Sequence, residues 1–411
     1  MIGSHESAFR ATVFVTMAIG VAVSETAGAI LPAPEPRNPI SLLARKLTDE
    51  HARFSGSDKE VLCALLRELH VPVESQMLVF SKTSLEARLI NPGNPRALYF
   101  SDSVYVGWVP GGLIEAVSFD PHQGAVFFGL DPDDAREGRR TFVREHSCVR
   151  CHSPSETAVQ SPLLARTVLA TADGEVLEKY GSEAMDDTTP FERRWGGWYV
   201  TGYLGSVIHR GNAFASESGG RPVFQACAAR PRDLGGMIDT ARYPEPTSDV
   251  VALAVFEQQI SVQNCLVRAM AKCRGLSATG NGAGEIVDDV VDHLLYKDEP
   301  ALPPGVDGTE AFRRVFAAGA RRDSRGDSLK DLALRGHLFA NRCSYLIYSE
   351  SFAALPAWLK SRVYERLQTV LRDRNGDGRY AYLDGNEKSR ILAVLTETIP
   401  ETFANGRSRA P

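Results

Sequence analysis

The pentapeptide Cys148-Val149-Arg150-Cys151-His152 is the most informative stretch of this 411-residue chain. C-x-x-C-H is the attachment signature of c-type haem. Two thiols three positions apart lie on the same side of a helical turn, so both can bond to one porphyrin. The histidine that follows can then reach the iron as an axial ligand. The motif therefore predicts one covalent haem c, held by Cys148, Cys151 and His152.

Two other uses of a C-x-x-C pair fit this chain less well. A thioredoxin-type redox pair has no use for a histidine directly after the second cysteine. A zinc ribbon needs a second close cysteine pair, which the other cysteines do not form. These are Cys63, Cys227, Cys265, Cys273 and Cys343. Their number is odd, so in an oxidising compartment we expect at least one thiol to stay free or to pair between chains.

Residues 1–29 contain the three parts of a secretory signal peptide. Arg10 precedes an apolar run over residues 11–23, and Ala27-Gly28-Ala29 supplies an A-x-A cleavage site. An uncleaved membrane anchor is the alternative, but a membrane span needs about 20 apolar residues and this run is shorter. Covalent haem attachment in bacteria takes place outside the cytoplasmic membrane. A periplasmic or otherwise exported location therefore agrees with the haem motif.

The composition narrows the class of protein. A formal net charge of −5 offers no basis for binding nucleic acid. With 43% hydrophobic residues the chain can bury sizeable cores, and its length suggests two or three domains. No apolar stretch after residue 29 is long enough to cross a bilayer, so we expect no transmembrane span in the mature chain.

The mature chain divides into three predicted domains. Residues 30–130 read as an N-terminal α+β domain, because short β-branched and aromatic runs alternate there with turn residues. Residues 131–245 are predicted as a cytochrome-c-like haem domain, in which a helix capped by Asp131 and Pro132 runs through Phe142 towards the motif. Residues 246–405 form a predicted helical C-terminal domain, which begins with a long apolar helix after the capping cluster Thr247-Ser248-Asp249. In the N-terminal domain, Ser57 or Asp58 is predicted to cap a helix with leucines at helical spacing. The predicted fold class is mainly α with a small antiparallel β meander (α+β).

His209 is the predicted sixth ligand of the haem iron. In small c-type cytochromes this ligand, His or Met, lies several tens of residues downstream of the motif. Gly205 and Gly211 flank His209 and would allow close backbone approach. Met185 and Met237 are rivals, but each lies among turn residues with little apolar context to hold a thioether.

The segment FERRWGGWY (191–199) joins paired arginines to a group of aromatic residues. Near a haem, Arg193 and Arg194 could hold the propionates by charge-assisted hydrogen bonds. The alternative is an ordinary aromatic core with solvated arginines. The sequence alone leaves these two interpretations open.

A calcium loop is predicted at residues 373–384, which follow the pattern D-x-N-x-D-G-x5-D. In the EF-hand loop, oxygen ligands fall at positions 1, 3, 5, 7 and 12. Here they would be Asp373, Asn375, Asp377, the carbonyl of Arg379, and Asp384. The closing residue is Asp instead of the longer Glu. The alternative is a polar connection between two helices, in which Asp384 caps the second helix together with Glu387.

Five longer strings extend over most of the mature chain. They are LVFSKTS (78–84), NPRALYF (94–100), VYVGWV (104–109), RWGGWYVTG (194–202) and CSYLIYSE (343–350). On these strings the chain resembles a family of large exported bacterial cytochrome-c-domain proteins with a single CxxCH haem motif. The resemblance implies haem binding and electron transfer rather than a particular substrate. Where that family would have histidines, this chain has Tyr203-Leu204, Gln258 and Gln263. An additional redox or ligand role of those histidines is not expected here.

Two function classes remain open. The first is an electron-transfer protein that passes single electrons to or from a redox partner protein or a small electron donor or acceptor. The second is a haem-dependent oxidoreductase of peroxidase-like type with an open distal site. The sequence shows no combination of histidine, arginine and carboxylate that would form a distal catalytic group. Covalent attachment of haem alone supplies only a redox centre. Electron transfer is therefore the favoured prediction.

Overall fold

A seven-stranded antiparallel sheet organises the chain. The computed structural model describes residues 35–49, 54–138, 142–145, 148, 152, 161–226, 231–373 and 378–403. The sheet has the strand order β6-β5-β4-β3-β2-β1-β9. Its strands are β1 (Met77–Val79), β2 (Arg96–Phe100), β3 (Val104–Trp108), β4 (Ile114–Asp120), β5 (Gly124–Leu130), β6 (Val143–Arg144) and β9 (Trp198–Tyr199). Six strands thus follow one another as a meander, and a strand from much later in the chain closes the far edge.

Helices and two-stranded sheets account for the rest of the described structure. The helices are α1 (Pro39–Asp49), α2 (Asp58–Glu68), α3 (Pro132–Glu137), α4 (Val250–Lys272), α5 (Ala283–Leu294), α6 (Glu310–Ala318), α7 (Glu350–Ala353), α8 (Ala357–Arg372), α9 (Gly385–Thr398) and α10 (Pro400–Phe403). The paired strands are β7 (Ala165–Val168) with β8 (Ser182–Met185), β10 (Tyr203–Leu204) with β13 (Val306–Asp307), β11 (Ala213–Ser218) with β12 (Arg221–Ala226), and β14 (Leu332–Arg335) with β15 (His337–Phe339).

Alternate residues of each strand face two different hydrophobic cores, as the pleat requires. Leu78 and Tyr99 point into a core that they share with α1 and α2. Val79 and Phe100, each one residue further along, point into a larger core that contains α4 and the C-terminal helices. Both cores combine residues from before and after position 131, and the described residues from Pro36 onwards form one compact unit.

Helix α4 is the centre of the larger core. The carboxylate of Asp249 caps it by accepting hydrogen bonds from the backbone N–H groups of Val251 and Ala252, at 2.8 and 2.9 Å. Contrary to the prediction that no stretch after residue 29 is long enough, α4 is, among the described residues, one helix long and apolar enough to cross a membrane. However, 94% of its apolar window is buried inside the protein. Most residues of α4 are buried, including its polar Glu257, Gln258 and Gln259, as in a helix enclosed by a protein core.

Several local predictions are confirmed. Five of the six meander strands, β1 to β5, form where β-branched and aromatic runs predicted them. Ser57 caps α2 in a reciprocal capping box with Glu60, and Asp131 caps α3 with Pro132 in its first turn. The cap at Asp249 begins the long helix that the apolar periodicity predicts.

The prediction of a mainly α chain with a cytochrome-c-like haem domain is wrong. Helix α3 ends at Glu137, where Gly138 adopts a left-handed backbone, and it does not run on to Cys148. Residues Val143–Arg144 instead form β6 at the edge of the large sheet. Among the described residues of 131–245, the α-helical ones are those of α3 and His152, and the remainder is mostly strand and turn. The protein is an α+β fold built on the large sheet. This sheet is larger than the predicted meander because β6 and β9 extend it at its two edges.

Candidate functional site

Cys148 and His152 lie on one helical turn. The backbone N–H of His152 donates to the carbonyl of Cys148 at 3.0 Å, which is the i to i−4 hydrogen bond of an α-helix. Residues 149–151, and therefore Cys151, lie outside the described residues. The turn predicted from the spacing of the motif is present, and the chain reaches it from strand β6 instead of from a long helix.

A backbone carbonyl orients the imidazole of His152. Its Nδ1 lies 2.8 Å from the carbonyl oxygen of Pro162, so Nδ1 carries the proton and donates it. That hydrogen bond fixes the tautomer and leaves the lone pair of Nε2 for a metal. The ring also packs on Phe127, with 5.0 Å between the ring centroids. His152 is thus held in the orientation and tautomer of a metal ligand.

The surroundings of His152 keep its imidazole neutral. Burial lowers the pKa of His152, and the charges of Arg96 and Arg166 lower it further. The hydrogen bond to Pro162 and the charge of Glu115 act in the opposite direction, but the net change in the pKa is downward. Only the neutral imidazole coordinates a metal, so this environment favours ligation.

Cys148 and His152 line two adjoining cavities on the face of the sheet that is turned towards α4. Their volumes are about 120 Å³ and about 350 Å³. The larger cavity falls within the range of cofactor sites, about 300–1,000 Å³. The residues that line both cavities are Arg96, Leu98, Glu115, Cys148, His152 and Leu164. The motif therefore lies against a preformed space over strands β2 to β5.

Arg96 brings a positive charge to this space. Its Nη2 is 2.5 Å from Oε2 of Glu115, and the two side chains reach each other across Gly107 of the intervening strand. A Cβ at position 107 would lie 2.3 Å from the Arg96 guanidinium, so the glycine makes the room in which it lies. The buried Nε of Arg96 has no hydrogen-bond partner among the described residues.

These residues fit a haem c. A thiol and an oriented imidazole supply the covalent and axial bonds, and Leu98, Phe127 and Leu164 provide an apolar wall for a macrocycle. The unpaired N–H of Arg96 matches the carboxylate of a propionate, since guanidinium groups bind carboxylates through several N–H donors. Sequence reasoning missed Arg96. The signal that could have found it is an arginine on the same strand face as Leu98.

The predicted sixth ligand has other contacts in the structure. The ring of His209 packs edge-on against Trp195, with 5.2 Å between centroids, and its Nδ1 accepts a hydrogen bond from the N–H of Gly211. The rival Met185 is buried and accepts from the N–H of Trp195, and Met237 packs against the core of α1 and α2. His209, Met185 and Met237 line neither of the two cavities. The sixth ligand stays a prediction.

Arg194 forms a buried ion pair away from the two cavities. Its Nη1 pairs with the carboxylate of Glu257 on α4, and both side chains are at most 3% exposed. The same carboxylate accepts from the indole N–H of Trp195 at 2.5 Å. Arg193 pairs with Glu183 at the surface. Neither arginine of the 191–199 segment lines the two cavities, whereas Arg96 does.

The predicted calcium loop is described in part, because residues 374–377 lie outside the described residues. Helices α8 and α9 flank it, as predicted. Asp384 caps α9, its Oδ1 accepting from the N–H of Glu387 at 2.8 Å. The carboxylate of Glu387 pairs with Arg342 instead of completing a capping box. A helix cap at Asp384 is what the alternative interpretation of this loop predicts. Calcium binding stays a prediction.

Two substitutions at Asp384 separate the cap from the calcium ligand. Asn is as good a helix cap as Asp, so Asp384→Asn should keep the calcium-free stability and lose the stabilisation by calcium. Asp384→Ala should cost about 1 kcal/mol with or without calcium, because the cap itself is lost. Denaturant unfolding at millimolar calcium and in chelator measures both effects. Absence of any calcium effect on the unmodified protein, by unfolding and by calorimetry, would show that the loop is only a turn.

Comparisons with known proteins place no constraint on this site. No protein-family model, no curated protein and no solved structure matches the chain. The functional interpretation therefore depends on the residues of the site and their geometry.

Proposed function

We propose that this chain is an exported c-type cytochrome that transfers single electrons to or from a redox partner protein or a small electron donor or acceptor. One haem would be held by Cys148, Cys151 and His152. The observation that carries the proposal is the hydrogen bond from Nδ1 of His152 to Pro162, which presents a metal-ligand tautomer beside the two cavities. The export signal predicted in residues 1–29 supports the same function.

The chain's own residues would do three things in such a protein. His152 would offer its Nε2 lone pair to the iron, and Pro162 would hold the ring so that little reorganisation accompanies electron transfer. The apolar wall at Leu98 and Phe127 would exclude water, and Arg96 would balance the charge of a propionate. When bound, the haem supplies the one-electron iron couple, whose potential depends on burial and on hydrogen bonds around it.

A second candidate function is a peroxidase-like oxidoreductase. The observation in its favour is the set of charged side chains on the wall of the larger cavity, where Arg96, Glu115 and Arg166 lie close to His152. Such groups could bind a small substrate or move protons at an open side of the iron. This candidate requires a free coordination position.

Absorption spectroscopy of the purified full chain separates the two functions. For an electron carrier we expect low-spin ferric and ferrous spectra that neither cyanide nor peroxide changes, because both axial positions are filled. His209→Ala should convert the iron to a high-spin form, because it removes the predicted sixth ligand. A high-spin spectrum of the unmodified protein that shifts with cyanide would favour the oxidoreductase. Unchanged low-spin bands in His209→Ala would assign the sixth ligand to another residue.

A further inference from the structure

A group of buried oxygen atoms around helix α4 lacks hydrogen-bond partners. They are Oδ1 of Asp187, Oε1 of Gln258 and Oε2 of Glu299, each without a partner among the described residues. Asp187 and Gln258 are each only 3% exposed. Leaving a buried acceptor unsatisfied costs about 1–3 kcal/mol. None of the three residues lines the cavities beside His152, so the haem site does not account for them.

Gln258 and Glu299 are in direct contact, and Asp187 lies close enough for its charge to act on Glu299. Nε2 of Gln258 donates to Oε1 of Glu299 at 2.6 Å, and the backbone N–H of Leu338 donates to the same oxygen at 3.2 Å. Ser261 lies three residues after Gln258 and so on the same face of α4. Burial raises the pKa of Asp187, and a hydrogen bond from the Ser261 hydroxyl offsets part of that rise. Burial also raises the pKa of Glu299, and the charge of Asp187 adds to that rise.

The charges of this region do not balance. Glu257 is next to Gln258 in sequence, but its two oxygens bind Arg194 and the indole of Trp195. That pair is neutral as a unit. Asp187 and Glu299 have no ion-pair partner of their own among the described residues, and burial raises the pKa of both. Arg194 and His293 act on the charge of Asp187, and Arg342 acts on that of Glu299. The two arginines already pair with Glu257 and Glu387, so the buried carboxylate of Asp187 and the half-buried one of Glu299 still lack a cation of their own.

We propose that Asp187, Gln258 and Glu299 bind a hard divalent cation, Ca²⁺, Mg²⁺ or Mn²⁺. Carboxylate and amide oxygens are the ligands that these ions prefer. A dication balances the two carboxylates and gives each of the three unsatisfied oxygens a partner. It would also tie the 186–189 loop and the segment after α5 to the central helix. Water completes the coordination shell, as is common for these ions.

A neighbouring group of residues is a poorer site for such an ion. Ligand atoms of Cys265, Asp289 and His293 lie within 4.8 Å of one another. However, Nε2 of His293 is 3.3 Å from a guanidinium nitrogen of Arg268, and Lys272 is 3.8 Å from Asp289. Two cations therefore already face this group, and a thiol is a soft ligand that hard ions do not prefer. It serves as the comparison site.

Metal analysis of the purified holoprotein tests the proposal. After gel filtration in metal-free buffer, we expect one equivalent of a divalent ion at this site, in addition to the haem iron and to any ion in the calcium loop. The double variant Asp187→Asn/Glu299→Gln should lose that ion and keep its haem. Three single variants should retain it: Asp289→Asn at the comparison site, Asp373→Asn in the calcium loop, and Asp323→Asn, a buried carboxylate whose oxygens already bind Arg325 and backbone N–H groups.

Thermal unfolding of the unmodified protein tests the proposal without depending on whether a variant folds. After EDTA treatment, separate additions of Mg²⁺, Ca²⁺ and Mn²⁺ should raise the midpoint of thermal unfolding, and in Asp373→Asn the rise should persist. The proposal is overturned if no ion raises the midpoint, or if Asp289→Asn, and not the double variant, loses the ion. It is also overturned if infrared difference spectra assign a protonated carboxylic acid to Asp187 or Glu299 in the presence of these ions, since the acids are then neutralised by protons.

Discussion

Replacing both Cys148 and Cys151 with alanine is expected to leave the protein without covalently bound haem. The two thiols supply the only bonds that survive denaturation, because coordination by His152 is lost when the chain unfolds. Haem staining of denaturing gels should therefore show a strong band for the unmodified protein and none for the double variant. Cys63→Ala is the matched control, since Cys63 is a half-buried residue of α2, lines neither cavity and should not affect attachment. A stained band of unchanged intensity in the double variant would exclude haem c.

Arg96 offers a second measurement on the same site. Arg96→Gln should retain covalent haem, because no attachment bond involves Arg96. It should lower the midpoint potential of the iron, since removing a positive charge and leaving Glu115 unpaired both favour the ferric form. Arg96→Lys keeps the charge and should stay closer to the unmodified potential. Equal midpoint potentials in all three proteins would show that Arg96 does not influence the haem iron.

Arg194→Met is expected to destabilise the protein by about 3–5 kcal/mol, because it leaves the carboxylate of Glu257 buried without its cation. Two backbone carbonyls, of Asp187 and Thr189, also lose a donor. The double variant Arg194→Met/Glu257→Gln should recover part of the loss, because a neutral amide oxygen still accepts from Trp195. Denaturant unfolding of the holoprotein measures the free energies of unfolding.

The neighbouring arginine provides the control for this prediction. Arg193 is half exposed and pairs with Glu183 at the surface, so Arg193→Met should change the free energy of unfolding by no more than about 1 kcal/mol. Similar values for Arg193→Met and Arg194→Met would contradict the buried pair. A double variant as unstable as Arg194→Met would assign the loss to the carbonyls rather than to the unpaired charge.

Features that depend on a few neighbouring residues were predictable from the sequence. Ser57, Asp131 and Asp249 cap helices because their carboxylate or hydroxyl oxygens bond N–H groups two or three positions ahead. The helical turn from Cys148 to His152 is equally local. The meander strands were predictable as well, since alternation and turn residues lie within each hairpin.

The fold class was not predictable in this way. Strand β9 pairs with β1 through Leu78 and Tyr199, which are far apart in sequence, and no local pattern marks that pairing. The helix expected to reach Cys148 stops at Gly138, because the edge of the sheet recruits residues Val143–Arg144 as β6. Long-range pairing of this kind overrides local helix signals.

The sequence by itself determined the spacing of Cys148, Cys151 and His152, and C-x-x-C-H predicts haem attachment because the motif carries its geometry within five residues. Only the tertiary structure decided which arginine lies beside this motif. Arg194 and Arg96 are both buried or half-buried on aromatic-rich strings, but Arg194 meets Glu257 of α4, whereas Arg96 lies over Gly107 beside the motif. The physical reason is that charge partners are chosen by the packing of sheet against helix, which brings together residues that the sequence keeps apart.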